Sequence, residues 1–193
     1  MTKWLSHRMV ERGIIKEEEQ ELYQFGICNG MILLLNVVTA LVIGLLTEQL
    51  AVVAVFTLSF MVLRSYTGGY HSDSRIFCYL GSNLVLLVPV YTQAVFYKTS
   101  LAWLLAVLLV SAGIIFLLSP MHSKNRKLDK EEQKHFGRKA RLIAVLELAV
   151  LGILWHAGQV PYAYAVYTGI CITALFMLVG KAQLWIQSHT ENR

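Results

Sequence analysis

The chain has 193 residues, of which 56% are hydrophobic and 15% are charged, and its formal net charge is +5. A soluble domain is roughly a quarter charged, and the apolar residues here are concentrated in blocks, so the composition excludes an ordinary soluble domain and indicates a polytopic membrane protein. Three widely spaced cysteines, Cys28, Cys78 and Cys171, exclude a framework of disulfides.

The first predicted element is an amphipathic helix within residues 1–26, which we expect to lie in the cytoplasm. Apolar residues recur every four or five positions beside a charged face, and they are Trp4, Leu5, Met9, Val10, Ile14 and Ile15. This pattern is typical of a helix that lies on the membrane surface. The alternative is a docking surface for a partner helix. Because the segment has no early apolar core, we do not expect a cleaved signal peptide.

Six apolar blocks follow, and they predict an all-α bundle that crosses the membrane six times. A spanning helix needs roughly 20 apolar residues. Four blocks are firm candidates, whereas the second and the fifth are short. The predicted spans are 27–46, 50–63, 76–97, 101–118, 142–156 and 162–180. The sequence therefore predicts one transmembrane domain, residues 27–180, and a tail of residues 181–193.

The basic residues predict the orientation of these spans. With six spans and a cytoplasmic N-terminus, 16 of the 17 lysines and arginines face the cytoplasm, and Lys98 alone lies on the other side. Basic loops are retained on the cytoplasmic side of a membrane. Both termini, the polar loop 64–78 and the basic linker 119–141 are therefore expected at the cytoplasmic face.

The basic linker, SPMHSKNRKLDKEEQKHFGRKAR, accounts for much of the positive charge without a nucleic-acid partner. Basic loops of this kind bind the anionic lipids of the inner leaflet. A specific role is also open, in which the linker cradles an acidic peptide or a lipid headgroup. The candidate substrate-binding residues are then Lys124, Arg126 and Lys127.

The polar loop, RSYTGGYHSDSRIFC, places His71 seven residues before Cys78. The serine–aspartate–serine run at 72–74 contains good helix N-cap residues directly before an apolar block. We therefore expect Cys78 in the first turn of the third span or just after it. At that end of a helix, the dipole favours a thiolate, which is the nucleophilic form of cysteine.

The spacing of seven residues also restricts how His71 and Cys78 can meet. On one uninterrupted helix, the two residues would be separated by roughly 10 Å along the axis, which is too far for a hydrogen bond of about 3 Å. His71 must therefore lie outside the helix and fold back over Cys78, and Gly68 and Gly69 supply the necessary backbone freedom. The alternative is a cysteine that only packs and a histidine that is only solvated.

Other chemistry at these residues is less well supported. A metal site has no ligand spacing of a known type, so no metal and no cofactor are expected; its ligands would be His71, Asp73, Cys78 and His122. Cys28 and Cys171 lie within spans and have no basic neighbour in sequence, and we expect them to be packing residues.

The order R…GG-x-H-x6-C between spans, followed on the same face by SPMHSKNRKL, resembles the AgrB family. Its members are membrane endopeptidases of peptide quorum-sensing systems in Gram-positive bacteria. The resemblance implies a cysteine endopeptidase of the bacterial cell membrane that cuts an AgrD-like precursor peptide near its C-terminal side. It implies that Cys78 attacks the scissile carbonyl and that His71 accepts the thiol proton. An internal nucleophile of the precursor then converts the thioester into a thiolactone or lactone ring.

The resemblance extends to residues around this pair. Arg64, Gly68 and Gly69 match the family's pattern, and the glycines would shape the loop. Arg64 would pair with Asp73 or with acidic groups of the precursor, or would only mark the cytoplasmic side. A homodimer is also implied, together with contacts to membrane lipids and none to nucleic acid.

Two other classes of function stay open on the residues alone. A small transporter or exporter subunit would move a peptide or lipid without covalent chemistry. However, the predicted spans offer few polar side chains for a path, mainly Asn36 and Glu147, and Glu147 is close enough to the cytoplasmic end to reach it. A non-catalytic membrane scaffold would leave the polar residues at 64–78 without a role.

Overall fold

The computed structural model describes residues 2–68, 75–121 and 129–190, and these residues contain helices and no β-strand. The predicted all-α class is therefore confirmed. The elements in chain order are α1 (Thr2–Glu11), a short 3-10 helix (Glu17–Glu19), α2 (Gln20–Leu46), α3 (Leu50–Thr67), α4 (Arg75–Tyr91), α5 (Gln93–Lys98), α6 (Leu101–Leu118), α7 (Lys130–His156) and α8 (Val160–Thr190).

The chain divides into two compact units, Met1–Thr39 and Ala40–Arg193. In the first unit, α1 exposes the apolar side chains of Trp4 and Leu5. The guanidinium carbon of Arg8 lies 5.2 Å from the centre of the Trp4 ring, so the aromatic side chain is packed under a cation of the next turn. Exposed apolar and basic side chains thus occur together on α1. The predicted stripe does not continue along one helix, however, because α1 ends at Glu11 and Gly13 has φ +66°, so Ile14 and Ile15 lie outside it.

In the second unit, α8 is the central helix and packs against α3, α6 and α7. Its apolar residues face two clusters of buried side chains. The first cluster joins it to α3 and α4 through Val53, Phe56, Leu86, Val90, Ala165 and Ile172. The second joins it to α3, α6 and α7 through Leu63, Leu108, Ile115, Ala144, Ile170 and Met177. A helix that is apolar on several faces is typical of such a central position.

The helices α3, α7 and α8 meet at a polar contact inside this bundle. A Cβ atom built on Gly169 of α8 would lie 2.6 Å from Ser59 Oγ, so only glycine allows this approach of α8 to α3. Ser59 Oγ donates a hydrogen bond of 2.5 Å to Glu147 Oε2 on α7. The expectation that Glu147 reaches towards the helix end was therefore wrong, because the bundle itself supplies a donor.

Among the described residues, four helices are long and apolar enough to cross a membrane. They are Glu17–Leu46, Leu50–Thr67, Leu101–Leu118 and Val160–Ile186. These helices correspond to the first, second, fourth and sixth predicted spans. The second span seemed short in the sequence, but α3 continues through Arg64 to Thr67 and reaches 18 residues.

The third predicted span is divided into α4 and α5 at Thr92. Pro89 lies inside α4 and has no N–H to donate to the preceding turn, which weakens the helix there. Thr92 Oγ1 donates to the Val88 carbonyl at 2.7 Å. Thr92 is also the residue immediately before α5. On α5, the Phe96 ring packs 4.8 Å from the Tyr164 ring of α8, measured between centroids. The far end of this span is therefore anchored to the central helix.

Helix α7 contains the fifth predicted span and begins well before it. Its first turns are built from residues 130–141, which belong to the predicted linker. Glu131 and Glu132 lie in the first turn, where acidic groups match the helix dipole. The Asp129 N–H donates to Glu132 Oε2 at 3.3 Å, which closes the N-terminal end of the helix.

Candidate active site

The structure describes only part of the predicted site. Arg64 and Gly68 lie at the end of α3, and the backbone of Cys78 lies in α4. The other predicted site residues, and the side chain of Cys78, lie outside the described residues; they are Gly69, His71, Asp73, Lys124, Arg126 and Lys127.

The backbone of Cys78 belongs to the first turn of α4. The helix begins at Arg75, immediately after the run of N-cap residues at 72–74, so Cys78 is its fourth residue. The first N–H groups of a helix have no partner within the helix, and partial positive charge gathers there. The candidate nucleophile thus belongs to a turn in which an anion is favoured.

The end of α3 requires glycine at position 68 for two independent reasons. Gly68 has φ +71°, a backbone conformation that side chains with a Cβ rarely adopt. A Cβ atom there would also lie 2.7 Å from the carbonyl oxygen of Met121. The Gly68 N–H donates to the Arg64 carbonyl at 3.2 Å and closes the helix. The chain therefore leaves α3 in contact with the segment that follows α6.

That contact includes a hydrogen bond between distant parts of the sequence. The Met121 N–H donates to the Thr67 carbonyl at 2.9 Å. Thr67 is fully buried and Ser119 is 5% exposed, so the residues around this contact are packed against the bundle. Gly68 belongs to the polar loop 64–78 and Met121 to the basic linker 119–141. The two polar stretches therefore start from neighbouring points.

Arg64 is held at this end of the bundle by aromatic rings. Its guanidinium carbon lies 4.8 Å from the centre of the Phe176 ring on α8 and 5.8 Å from that of Phe60 on α3. A cation over an aromatic ring is attracted by the negative face of that ring. The N–H groups of a guanidinium bind carboxylates in a planar fork. The side chain is thus fixed in position rather than extended freely into solvent.

The first turns of α7 pack against the same region. The Phe136 ring lies 6.2 Å from the Tyr66 ring, and Lys139 Nζ lies 5.7 Å from the centre of the Tyr66 ring. Arg141 Nε donates to the Phe116 carbonyl at the end of α6, at 3.3 Å. The exposed basic residues Lys139 and Arg141 of α7 therefore contact the ends of α3 and α6.

Sequence reasoning missed the residues that bring these elements together, namely Tyr66, Thr67, Met121, Phe136 and Gly137. A glycine inside a helical pattern usually has a packing reason, and this signal could have identified Gly137. The same signal carries no weight in a linker, which is what the sequence predicts for residues 119–141.

Two apolar cavities lie at the opposite end of the second unit. One, of about 240 Å³, lies between α5, α6, α7 and α8 and is lined by Phe96, Trp155 and Tyr167. The other, of about 420 Å³, is lined by Trp103, Tyr164 and Cys171, among others. In the described part of the chain, their walls are mainly aliphatic and aromatic, which does not favour a polar transport path.

Comparisons with known proteins give one consistent family. A family model for accessory gene regulator B matches residues 1–179. A putative AgrB-like protein of Clostridium perfringens (strain SM101 / Type A) is 23% identical over 148 residues, which cover 74% of this chain and 69% of that protein. A putative AgrB-like protein 2 of Clostridium perfringens (strain 13 / Type A) is 24% identical over 131 residues, covering 65% and 61%.

A third relative is the accessory gene regulator protein B of Staphylococcus intermedius, which is 27% identical over 121 residues. The match covers 63% of this chain and 62% of that protein. The chain therefore spans between 61% and 69% of the length of the curated relatives it matches. No solved structure matches the chain.

Proposed function

Because the chain belongs to the accessory gene regulator B (AgrB) family, we propose that it is a membrane cysteine endopeptidase that processes an AgrD-like precursor peptide for quorum sensing. The observation that carries the proposal is the family match over residues 1–179, a range that includes both His71 and Cys78. The position of Cys78 in the first turn of α4 supports it.

The proposed reaction has two steps. The Cys78 thiolate attacks the scissile carbonyl of the precursor after His71 has accepted the thiol proton. The tetrahedral intermediate collapses to an acyl-enzyme thioester, and His71 returns the proton to the leaving amine. An internal thiol or hydroxyl of the precursor then attacks the thioester carbonyl. This second attack closes the thiolactone or lactone ring and releases the Cys78 thiol.

Helix α4 supplies two physical advantages for this chemistry. The positive end of its dipole favours the thiolate of Cys78 over the neutral thiol. The unpaired N–H groups of the first turn are the proposed donors to the oxyanion that forms in each step. Both advantages come from the helix start at Arg75 rather than from any additional catalytic side chain.

Water must be kept from the thioester for the ring to form. Exchange of one thioester for another releases little free energy, so hydrolysis would prevail in an open site. A site at the membrane interface excludes water, and the four long apolar helices fit that location.

The proposed orientation has six spans, with both termini and the site at the cytoplasmic face. In this arrangement 16 of the 17 basic residues face the anionic inner leaflet. Arg64 and the linker residues Lys124, Arg126 and Lys127 are then placed to bind acidic groups of the precursor. A homodimer in contact with membrane lipids is the proposed assembly.

The test is co-expression with a short AgrD-like precursor. We expect Cys78→Ala, Cys78→Ser and His71→Ala to abolish cleavage while the amount of protein in the membrane stays unchanged. Cys28→Ala and Cys171→Ala are matched controls, and both should cleave as the parent does. Cleavage by the Cys78→Ala variant would overturn the proposal.

A second measurement tests the intermediate. With a precursor whose internal nucleophile is replaced by alanine, the ring cannot close, so the acyl-enzyme should accumulate. Mass spectrometry should then detect the precursor fragment on the peptide that contains Cys78, in a form that hydroxylamine removes.

A further inference from the structure

Three parts of the chain meet where the two polar stretches start. Thr67 and Gly68 end α3, Ser119–Met121 follows α6, and Gly137 lies in the third turn of α7. We call this group the Pro120 clamp, because Pro120 lies at its centre. Its contacts are a hydrogen bond, a close backbone approach and a close approach of helix to ring.

The side towards α3 is fixed by the backbone. The Met121 N–H donates to the Thr67 carbonyl at 2.9 Å, and a Cβ atom on Gly68 would lie 2.7 Å from the Met121 carbonyl oxygen. Ser119 is tied to the bundle as well, since its N–H donates to the Ile115 carbonyl at 3.1 Å. The segment is therefore held at both of its ends.

The side towards α7 depends on the absence of a side chain. A Cβ atom on Gly137 would lie 3.1 Å from Pro120 Cδ and 3.5 Å from the Ser119 carbonyl oxygen. Carbon atoms in good contact are about 3.5–4.0 Å apart. Gly137 thus lets α7 lie directly against the proline ring.

The two partners at this contact are held to different degrees. The proline ring is rigid. Helix α7 is anchored by the fully buried Ala140, by the nearly buried Ala144 and by the bond from Arg141 Nε to the Phe116 carbonyl. Pro120 and Met121 are only half-buried, so the segment Ser119–Met121 is the part that would shift if a side chain were added at position 137.

We infer that Gly137 is a positioning residue of the proposed endopeptidase: by admitting Pro120, it seats Met121 on the end of α3 and so fixes the starting points of the polar loop and of the basic linker relative to each other. This inference rests on the proposed function for its kinetic consequence. Its geometric content, the seating of Met121 on Thr67, stands independently of any reaction.

Kinetics of precursor cleavage test the consequence. For Gly137→Ala we expect kcat to fall about tenfold, and for Gly137→Val to fall further, because small misplacements of reacting groups cost large factors in rate. Gly152→Ala is the matched control on the same helix, since a Cβ atom there meets nothing within 4 Å. Its kcat should equal that of the parent.

Hydrogen–deuterium exchange tests the geometry without a substrate. The Met121 amide should be protected in the parent, because it donates to Thr67. In Gly137→Ala, we expect faster exchange in the peptide that contains Met121, with parent rates throughout α6 and α8. An unprotected Met121 amide in the parent would overturn the inference.

The outcomes separate the two proposals. If the parent cleaves and Cys78→Ala does not, the proposed function holds. If Gly137→Ala and Gly137→Val then cleave at the parent rate, the inference alone fails. It also fails if Gly137→Ala accelerates exchange across the whole bundle, because its role would then be general stability rather than positioning.

Discussion

Ser59 and Glu147 show how a carboxyl group is accommodated between apolar helices. A buried polar group without a partner is costly in free energy. Here the Ser59 hydroxyl of α3 donates a hydrogen bond of 2.5 Å to the Glu147 carboxyl of α7. Ser59 is 4% exposed, so water cannot replace the serine readily. The pair joins two helices whose ends border the candidate active site.

We predict that removal of one partner of this pair costs more than removal of both. Ser59→Ala should lower the stability of the protein by about 1–3 kcal/mol, because the carboxyl loses its donor inside the bundle. Glu147→Gln keeps an acceptor oxygen and should cost less. The double variant Ser59→Ala with Glu147→Leu should lie close to the parent.

Thermal unfolding in detergent, followed by circular dichroism, measures these differences as shifts in the unfolding midpoint. A midpoint for Ser59→Ala equal to that of the parent would show that the hydrogen bond contributes nothing to stability.

At the scale of helices, the approach of α8 to α3 depends on Gly169. A Cβ atom there would lie 2.6 Å from Ser59 Oγ and 3.2 Å from Ser59 Cβ. Alanine must therefore separate the two helices or turn the Ser59 side chain away from Glu147. Either adjustment loses contacts in the centre of the second unit.

We predict that Gly169→Ala lowers stability by about 1–3 kcal/mol, the usual cost of overpacking a core. Gly113→Ala on α6 is the control, because a Cβ atom there meets nothing within 4 Å. Since alanine is the better helix former, this control should unfold at or above the midpoint of the parent. Equal midpoints for Gly169→Ala and the parent would contradict the close approach.

The bounds of single helices could be predicted where the chain itself marks them. The predicted span 101–118 coincides with α6, because Ser100 precedes an unbroken apolar block and Ser119 with Pro120 follows it. The predicted start of the third span at residue 76 agrees with Arg75, the first described residue of α4. Helix α7 was missed over residues 130–141, because a run of lysine, glutamate and arginine suits an exposed helix and a solvated loop equally.

Most contacts around the site could not be predicted from the sequence. The freedom required of Gly68 was predicted from the residue type, and its φ of +71° agrees with that prediction. The bond from Met121 to Thr67 could not be predicted, because backbone groups carry no sequence signal and their pairing depends on how α3, α6 and α7 pack. The contact of the Arg64 guanidinium with the Phe176 ring depends on the same packing.

At the scale of the whole molecule, the distribution of basic residues makes a testable statement about orientation. We predict that Lys98→Cys, in a chain whose native cysteines are replaced by serine, reacts with a membrane-impermeant maleimide in intact cells. Lys181→Cys should react only after permeabilisation, because basic segments are retained in the cytoplasm. Both lysines are exposed on the surface of the chain, so neighbouring side chains do not shield a thiol at either position.

Labelling of Lys181→Cys in intact cells would contradict the cytoplasmic position of Lys181 and therefore the proposed six-span arrangement. If neither variant is labelled in intact cells, the proposed position of Lys98 at the outer face is wrong. The same reagent applied to inverted vesicles should give the opposite pattern, which controls for reactivity.

The hydrogen bond between Met121 and Thr67 also joins the two ends of the stretch from Gly68 to Pro120. The chain leaves the bundle end through α4 and α5, turns near Thr99 and returns through α6 to the point of departure. Added residues at a surface turn cost little free energy, because the entropy of loop closure grows only slowly with length. Insertions and deletions at that distant turn should therefore be inherited without disturbing the site, which leaves the tip free to diverge between relatives.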